Sequence, residues 1–435
     1  MEIKIIESNR EDLLKISETF SSRAKMENKD VIALAERILQ DVKNLGDEAL
    51  CRYTKEYDKV DLTRENLKVS DNEIESAFES ADNDLIEILL KAKSNIYEFH
   101  KAQLTGDVTV EKGDNSRISL ISRPLETVGV YVPGGTAPLP SSVLMNAIPA
   151  KAAGVSKVVM CTPPSKDGSV NPLILTAAKI AGVDEIYRVG GAQAIAAMAY
   201  GTDTIPSVDK ICGPGNIYVN TAKRLVYGKT DIDMFAGPSE ILIIADKTAN
   251  YRYIAADMLA QSEHDTLASA VLVTDNMELA KMVAKEISET APEMPRKDIL
   301  LKSLENYCLI AVVPDLITAI DFSNAFAPEH LEICTADPEN YLSKIKNAGA
   351  VFLGNYSPES LGDYFCGANH VLPTSGTSRF FSPLNTSDFI KKISVINYSE
   401  KGFKNCYTDV ARLARAEGLE CHARSALIRF ENLTD

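Results

Sequence analysis

The chain has 435 residues, about three times the length of a typical domain, so we expect its core to divide among two or more domains. Its 45% hydrophobic and 25% charged residues are ordinary for a folded protein and exclude a largely disordered chain. The 61 acidic and 46 basic residues give a net charge of −15, which repels phosphate backbones and anionic membranes, so we expect neither nucleic acid nor a membrane as a partner.

The start of the chain carries no targeting signal in its pattern. The opening MEIKIIESNREDLL is charged where a signal peptide is apolar, and no apolar run approaches the roughly 20 residues of a membrane span. The eight cysteines are scattered without a CxxC pair, which argues against a disulfide framework or a zinc ribbon. We therefore expect a cytoplasmic protein with reduced thiols.

The first part of the chain, to about residue 100, is predicted to form a helical layer. In VIALAERILQDVKNL and DLIEILLKAKSNIYEFH, apolar residues recur at steps of three and four. From about Glu126 the pattern changes to short β-branched runs that end at glycine or proline, each followed by an alanine-rich amphipathic segment. These predicted strands are ETVGVYVPGG, KVVMCTPP, DEIYRVGG, VDKICGPG and EILIIAD.

A second alternation follows a helix-like stretch at about 250–264, with SAVLVTD, CLIAVVPD, HLEIC and GAVFLGN as predicted strands. Strands that alternate with helices predict parallel βαβ units, so the expected fold class is α/β with two Rossmann-like parallel-sheet domains, an N-terminal helical segment and a C-terminal tail. Ligands usually bind at the carboxyl ends of such strands, and three of these ends carry glycine turns: Gly134-Gly135, Gly190-Gly191 and Gly213-Pro214-Gly215.

The tail beyond about Pro383 is short for a core of its own, so it is expected to pack on another domain or another subunit. Within it, DVARLARAEGL is predicted to be a helix and ALIRF a strand.

Two pairs of neighbouring residues suggest chemistry. Gln261 and His264 of QSEH are three apart on one helical face, so they could give an oxygen and a nitrogen to one metal ion. His330 follows Glu329 in FAPEHLEI, where an acid and an imidazole side by side could share proton transfer.

Two further histidines stand in unusual contexts. His370 lies in the polar loop GANHVLPTSGTSR, and His422 ends EGLECH, near Glu417. Any one histidine is more often structural than functional, but four in such contexts favour a site. Asp363, in ESLGDYF, could be a carboxylate ligand, although a helix cap or turn is the better interpretation from spacing alone.

The glycine turns do not match a standard nucleotide motif. There is no GxGxxG, and GKT at Gly228 lacks the earlier glycine of a P-loop. The N–H groups of the turns could still bind a pyrophosphate or ribose in another way. Cys212 or Cys366, each beside a glycine turn, could be the nucleophile of an aldehyde-oxidising enzyme, but neither has an activating base beside it in sequence, so this role is disfavoured.

Eight segments, in chain order, resemble the histidinol dehydrogenase family. They are YVPGGTAPLPSSVLMNAIPAKAAGV, RVGGAQAIAAMAYGT, DKICGPGNIYV, DMFAGPSEILIIAD, QSEHD, FAPEHLEI, GANHVLPTSGTSRFFSPL and EGLECHARSA. The resemblance runs from about Arg123 to Arg424, and the total length also fits. Two departures, Phe235 before AGPSE and Cys421 before His422, leave the functional positions filled.

The resemblance implies oxidation of L-histidinol through L-histidinal to L-histidine, the last step of histidine biosynthesis, with two NAD reduced. It also implies one zinc ion per subunit and a homodimer with shared active sites. In that family pattern zinc would be held by four residues, the last of them from the partner subunit: Gln261, His264, Asp363 and His422.

The resemblance also assigns the remaining roles. Glu329 and His330 would be the acid–base pair. The dinucleotide would contact Tyr131, Gln193 and Asn216. Besides the zinc ligands, the substrate would be held by Ser239, His330, His370 and Glu417.

The expected domain division follows from the strand pattern and the resemblance together. A helical arm occupies 1–24, and a larger α/β domain with most zinc and acid–base residues is formed from 25–128 and 240–383. An NAD-binding α/β domain is inserted at 129–239, and a tail at 384–435 packs on the partner subunit.

These roles agree with the chemistry. Alcohol oxidation needs a base for the hydroxyl proton, which neutral His330 can supply near pH 7, and the aldehyde must then take up water, which Glu329 can activate. Two other functions stay open. A zinc hydrolase could use Glu329 as its base, because a metal and a glutamate suffice for attack by water. A non-catalytic protein of two α/β domains would bind histidinol without turnover.

Overall fold

The computed structural model describes residues 3–21, 29–134, 138–235 and 237–431. The chain divides into two compact units, a larger one of Met1–Gln103 with Leu125–Phe389 and a smaller one of Leu104–Pro124 with Ile390–Asp435. Residues 22–24 of the predicted arm and Gly135 of the first glycine turn lie outside the described residues.

The strands of the described residues are, in chain order, β1 (Ile5–Glu7), β2 (Val108–Glu111), β3 (Arg117–Pro124), β4 (Thr127–Tyr131), β5 (Lys157–Thr162), β6 (Glu185–Arg188), β7 (Lys210–Cys212), β8 (Asp231–Ile232), β9 (Glu240–Ala245), β10 (Ser269–Thr274), β11 (Cys308–Val312), β12 (His330–Cys334), β13 (Ala350–Leu353) and β14 (Ile390–Asn397). Nine of the ten strands that the sequence predicts are present among them, from β4 to β7 and from β9 to β13. The sequence pattern missed β1, β2, β3, β8 and β14.

The α-helices of the same residues are, in chain order, α1 (Arg10–Ser21), α2 (Lys29–Leu45), α3 (Asp47–Tyr53), α4 (Asp71–Glu79), α5 (Asn83–Ala102), α6 (Pro140–Ala153), α7 (Pro172–Ala181), α8 (Gly191–Tyr200), α9 (Ile217–Val226), α10 (Tyr251–Ser262), α11 (Met277–Thr290), α12 (Lys297–Tyr307), α13 (Leu316–Phe326), α14 (Glu339–Leu342), α15 (Glu359–Tyr364), α16 (Glu400–Lys404), α17 (Tyr407–Ala416) and α18 (Glu420–Leu427). The predicted early helical layer is present as α1 to α5, which follow the short strand β1. No helix of the described part of the chain combines the length and the apolar character that a membrane span needs.

The larger unit contains two parallel sheets, which confirms the predicted α/β class. One sheet has the order β6-β5-β4-β7-β8 and the other the order β1-β11-β10-β9-β12-β13. In the first sheet the direction in which successive strands are added reverses between the neighbours β4 and β7, and in the second sheet it reverses between β9 and β12. Such reversals open a crevice between the loops of an open α/β sheet.

The central strands β9 and β10 of the six-stranded sheet are buried on both faces, which is why they are largely apolar. All six residues of β9 are buried. Ile241 and Ile243 pack on one face in the core that includes α10, and Leu242 and Ile244 on the other in the core that includes α13. Each such side chain contributes about 1.5–3 kcal/mol by leaving water.

The smaller unit is a three-stranded antiparallel sheet of order β14-β3-β2 together with α16 to α18. The helix predicted in DVARLARAEGL is present as α17, whereas the strand predicted in ALIRF is wrong. ALIRF begins inside α18, because Ala423 and Ala426 bury one helical face at a spacing of three. A short apolar run cannot by itself distinguish the two periods.

Candidate active site

The predicted acid–base residues Glu329 and His330 lie at the amino end of β12, beside the amino end of the neighbouring strand β9. His330 is the first residue of β12 and Glu240 the first residue of β9, and these strands pair in parallel. Glu329 and Ser239 come one residue earlier on each strand. The site is therefore at the amino edge of the six-stranded sheet, whereas the general rule for such sheets favours the carboxyl edge.

The imidazole of His330 is held in one tautomer. Its Nδ1 lies 3.1 Å from the backbone oxygen of Glu240. A carbonyl oxygen can only accept, so Nδ1 carries the hydrogen and Nε2 keeps a free lone pair. Nε2 is buried without a hydrogen-bond partner among the described residues, and it lies 3.8 Å from Oδ1 of Asp363. Burial lowers the pKa of His330 to about 4, so the ring is neutral at pH 7.

The carboxyl group of Glu329 is buried beside this ring. Its Oε2 accepts the backbone N–H of Glu240 at 3.0 Å and lies 3.8 Å from Nδ1 of His330. Burial raises the pKa of Glu329 well above its usual range, and hydrogen bonds from the Glu240 N–H and the Ser239 hydroxyl act in the opposite direction. Ser239, predicted from the resemblance to hold substrate, is thus placed directly against the acid–base pair.

Three possible metal ligands converge near the imidazole. One ligand atom each of His264, Glu359 and Asp363 lies within 4.8 Å of the other two. His264 follows the end of α10, while Glu359 and Asp363 are four residues apart on one face of α15. An imidazole nitrogen with carboxylate oxygens is a donor set that zinc accepts.

Gln261 is fully buried in the last turn of α10. With its amide turned so that nitrogen donates, that nitrogen lies 2.7 Å from Oε1 and 3.2 Å from Oε2 of Glu359. The opposite orientation would set an amide oxygen against carboxylate oxygens. The amide oxygen is therefore the atom of Gln261 that could bind a cation.

Glu359 is a member of this cluster that the sequence interpretation missed. Its side chain is almost completely buried, and burial raises its pKa, with the charges of Asp363 and Glu329 adding to the effect. A signal existed in the sequence, since Glu359 stands one helical turn before Asp363. It could be used only once the segment was known to be a helix.

The other histidines of the larger unit differ in position. Nδ1 of His370 lies 3.1 Å from the backbone oxygen of Asp363, so the GANH loop packs against α15. Burial lowers the pKa of His370. His100 is fully buried, with Nδ1 2.8 Å from the backbone oxygen of Ile96 and Nε2 3.4 Å from the amide nitrogen of Asn369. His100 therefore supports the loop that carries His370.

Glu417 and His422 belong to the smaller unit. Glu417 directly follows α17, His422 lies in α18, and both side chains are exposed. Their roles toward substrate and zinc stay predictions.

The predicted dinucleotide residues lie at the carboxyl edge of the five-stranded sheet. Tyr131 ends β4, and its hydroxyl accepts the N–H of Gly191 at 3.0 Å. Burial raises the pKa of Tyr131 to about 12. Gln193 is buried in the first turn of α8, and Oδ1 of Asn216 caps α9 by accepting two backbone N–H groups at 3.0 and 3.1 Å.

A buried ion pair supports the turn that leads to Asn216. Nζ of Lys223 pairs with Asp233 and donates to the backbone oxygen of Gly213 at 3.0 Å, while Asp233 accepts the N–H of Gly213 at 2.8 Å. Both side chains are 1% exposed. No motif in the sequence marked either residue.

The structure argues against a nucleophilic role for Cys212. Its side chain is fully buried, and burial raises the pKa of the thiol well above its usual range. The thiolate that such chemistry needs is therefore strongly disfavoured. Cys366 is exposed.

Comparison with known proteins finds similarity over nearly the whole chain. The sequence profile of the histidinol dehydrogenase family matches residues 21–430. The chain is 51% identical over 429 residues to a histidinol dehydrogenase of Clostridium acetobutylicum, covering 99% of both chains, and 51% identical over 431 residues to one of Bacillus cereus, again covering 99% of both. The crystal structure of histidinol dehydrogenase from Elizabethkingia anophelis superposes with a TM-score of 0.92 at 39% identity, covering 100% of this chain and 99% of that chain.

The two parallel sheets and this agreement define the class of protein as an NAD-dependent oxidoreductase of α/β fold. The chain belongs to the histidinol dehydrogenase family, whose role is the last step of histidine biosynthesis.

Proposed function

We propose that this protein oxidises L-histidinol to L-histidine through L-histidinal, with two NAD reduced and one zinc ion in each active site. Family membership supports the reaction. The observation that supports the site is the convergence of an unprotonated imidazole nitrogen, a buried carboxyl group and metal-ligating side chains at the amino ends of β9 and β12.

In the first oxidation Nε2 of His330 is the atom that would take the hydroxyl proton of the substrate. Bound NAD would supply the acceptor for the hydride that leaves the same carbon. The hydrogen bond from Nδ1 to Glu240 leaves Nε2 as the only ring atom that can accept a proton. A buried, neutral ring needs no prior deprotonation at pH 7.

In the second oxidation the aldehyde must first add water, because its hydrate supplies the hydrogen for a second hydride. Glu329 is the proposed acid–base group for this addition. A carboxylate whose pKa is raised is a stronger base than an ordinary carboxylate, so Glu329 is suited to take a proton from water and return it. The N–H of Glu240 and the hydroxyl of Ser239 hold its oxygens in place.

The residues fit the proposed metal. The amide oxygen of Gln261, the imidazole of His264 and the carboxylate of Asp363 would hold it, and His422 from the partner subunit would complete the set. Bound zinc would supply an anchor for the imidazole and amine nitrogens of the substrate. Glu359, whose carboxylate accepts from Gln261, keeps the amide oxygen turned outward to a cation.

The other predicted contacts complete the proposal. His370, held against α15, would contact the substrate together with Ser239 and Glu417, as the family resemblance implies. Tyr131, Gln193 and Asn216 would bind the dinucleotide, for which the switch point between β4 and β7 is the expected position. A cytoplasmic location stays a prediction.

The smaller unit supports the proposed homodimer. Val110, Ile118 and Ile396 are direct cross-strand neighbours in its sheet and are 52%, 38% and 72% exposed. A row of adjacent exposed apolar side chains is typical of a surface that packs on another protein. The predicted packing of the tail on a second subunit would cover it.

The test is the stoichiometry of NADH formed from histidinol before and after removal of metal by a chelator. Two equivalents of NADH for each substrate, lost on chelation and restored by zinc, are expected. A zinc hydrolase, which family membership does not favour, would form no NADH, and a binding protein would retain histidinol without turnover. A single equivalent of NADH would contradict the second oxidation.

A further inference from the structure

Two carboxyl groups meet beneath the metal-ligating side chains. Glu332 lies on β12 two residues after His330, so both side chains project from the same face of the strand, and Glu332 is 1% exposed. Asp257 lies on α10 one helical turn before Gln261. Oε2 of Glu332 is buried and has no other hydrogen-bond partner among the described residues, and a proton shared with the carboxyl group of Asp257 would satisfy it, because two carboxylates can only accept.

Glu332 also holds the beginning of the third element of the site. Its Oε1 accepts the backbone N–H of Glu359 at 2.9 Å. Glu359 is the first residue of α15, and the first N–H groups of a helix have no partner inside the helix. The same short helix carries Asp363, so the contact fixes the element that presents both carboxylates of the cluster.

We propose that Glu332 is a positioning residue for zinc binding, which ties β12 to α15 through the Glu359 N–H and to α10 through Asp257. This role rests on the proposed function, because it concerns the metal of that site. His330 on β12, Gln261 with His264 at the end of α10, and Asp363 on α15 come from separate segments of the chain. The buried side chain of Glu332 projects from β12 and bonds to both α15 and α10, so it sets the separation of the three elements.

The chemistry of the pair explains why a carboxylic acid stands there. Burial raises the pKa of Glu332 well above its usual range and that of Asp257 to about 6. Oε1 of Glu332 accepts the Glu359 N–H, so its other oxygen is the one that can share a proton with Asp257. An amide has the same arrangement of donor and acceptor, so glutamine should replace Glu332 with little loss.

The experiment compares zinc affinities of the full-length metal-free protein, measured by competition with a chromophoric chelator. Glu332→Leu removes both hydrogen bonds at similar volume and should weaken zinc binding about 10- to 100-fold, the usual effect of losing a group that orients metal ligands. Glu332→Gln should bind zinc within about threefold of wild type, on the donor–acceptor argument above. Leu304→Ala, in the core that also contains α10, destabilises the fold without touching the site and should keep the wild-type affinity.

The outcomes separate the two proposals. Zinc affinity of Glu332→Leu within about threefold of wild type, or an equal loss in Leu304→Ala, overturns the positioning role. If Glu332→Leu does not fold, Asp257→Ala breaks the pair from its half-exposed side, and unchanged zinc affinity in that variant overturns the role as well. Failure of the wild type to bind zinc overturns the proposed metal site and this inference with it.

Discussion

Substitution of Gly213 by alanine tests the proposed dinucleotide site directly. Gly213 has φ of +117°, and a Cβ atom added there would lie 2.1 Å from the backbone oxygen of Tyr131. Real Cβ atoms essentially never come closer than 3.0 Å, so the two backbone segments would have to separate by about 0.9 Å. Both are rigid, because Tyr131 ends a central strand and Gly213 is bound by Lys223 and Asp233.

Gly228 offers a matched control. It has a similar φ of +100°, but a Cβ atom there would meet nothing within 4 Å. Gly228→Ala should therefore cost only backbone strain, about 1–3 kcal/mol of unfolding free energy. Gly213→Ala should cost that and a further 1–3 kcal/mol, roughly, for overpacking. The difference between the two variants isolates the steric displacement of Tyr131.

The functional expectation follows from the same displacement. A shift of nearly 1 Å at a binding site is expected to weaken NAD binding about 10- to 100-fold in Gly213→Ala, whereas Gly228→Ala should bind NAD like the wild type. Dissociation constants can be measured by titration of fluorescence with NADH, and unfolding free energies with urea. Zinc content should stay unchanged in both variants. If Gly213→Ala bound the dinucleotide as tightly as Gly228→Ala, the reasoning that places the cofactor at this turn would be wrong.

Four other expectations concern the proposed chemistry. His330→Asn should lower kcat by about two to four orders of magnitude with zinc content intact, and loss of metal would reassign the residue. In the metal-free protein, His330 has a pKa of about 4, whereas the unfolded chain has 6.5. Stability that is present above pH 6.5 is therefore lost as the pH falls toward 4, by roughly 3 kcal/mol. Urea unfolding at a series of pH values should show a smaller loss of stability in acid for His330→Asn than for the wild type, and an identical loss would contradict the buried neutral ring. Glu329→Gln should slow oxidation of histidinal more than oxidation of histidinol in single-turnover assays, and equal slowing would exclude water activation. Mixed dimers of inactive His330→Asn and inactive His422→Ala should regain activity if the sites are shared, whereas no recovery would indicate that each chain holds a complete site.

The sequence determined nine of the eleven strands in the two parallel sheets, and it determined the family. Buried parallel strands such as EILIIA in β9 and SAVLVT in β10 are apolar at nearly every position, since both faces are covered, and that pattern needs no knowledge of neighbours. The pair Gln261 and His264 was also accessible from its spacing of three, although His264 lies two residues beyond the end of α10 and the expectation of one shared helical face is wrong. The assignment of roles to distant residues such as Asp363 came from the resemblance, not from the pattern.

Only the tertiary structure decided which distant groups meet. The protonated nitrogen of His330 is set by Glu240, and the direction of the Gln261 amide by Glu359. The bond from Glu332 to the first N–H of α15 likewise joins segments that are separate in the sequence. Burial then shifts the pKa values of these groups. Hydrophobic periodicity is a local property, so the sequence by itself determined most of the strands in the two parallel sheets. Hydrogen bonding and desolvation depend on neighbours in space, so only the fold determined the chemistry of the site.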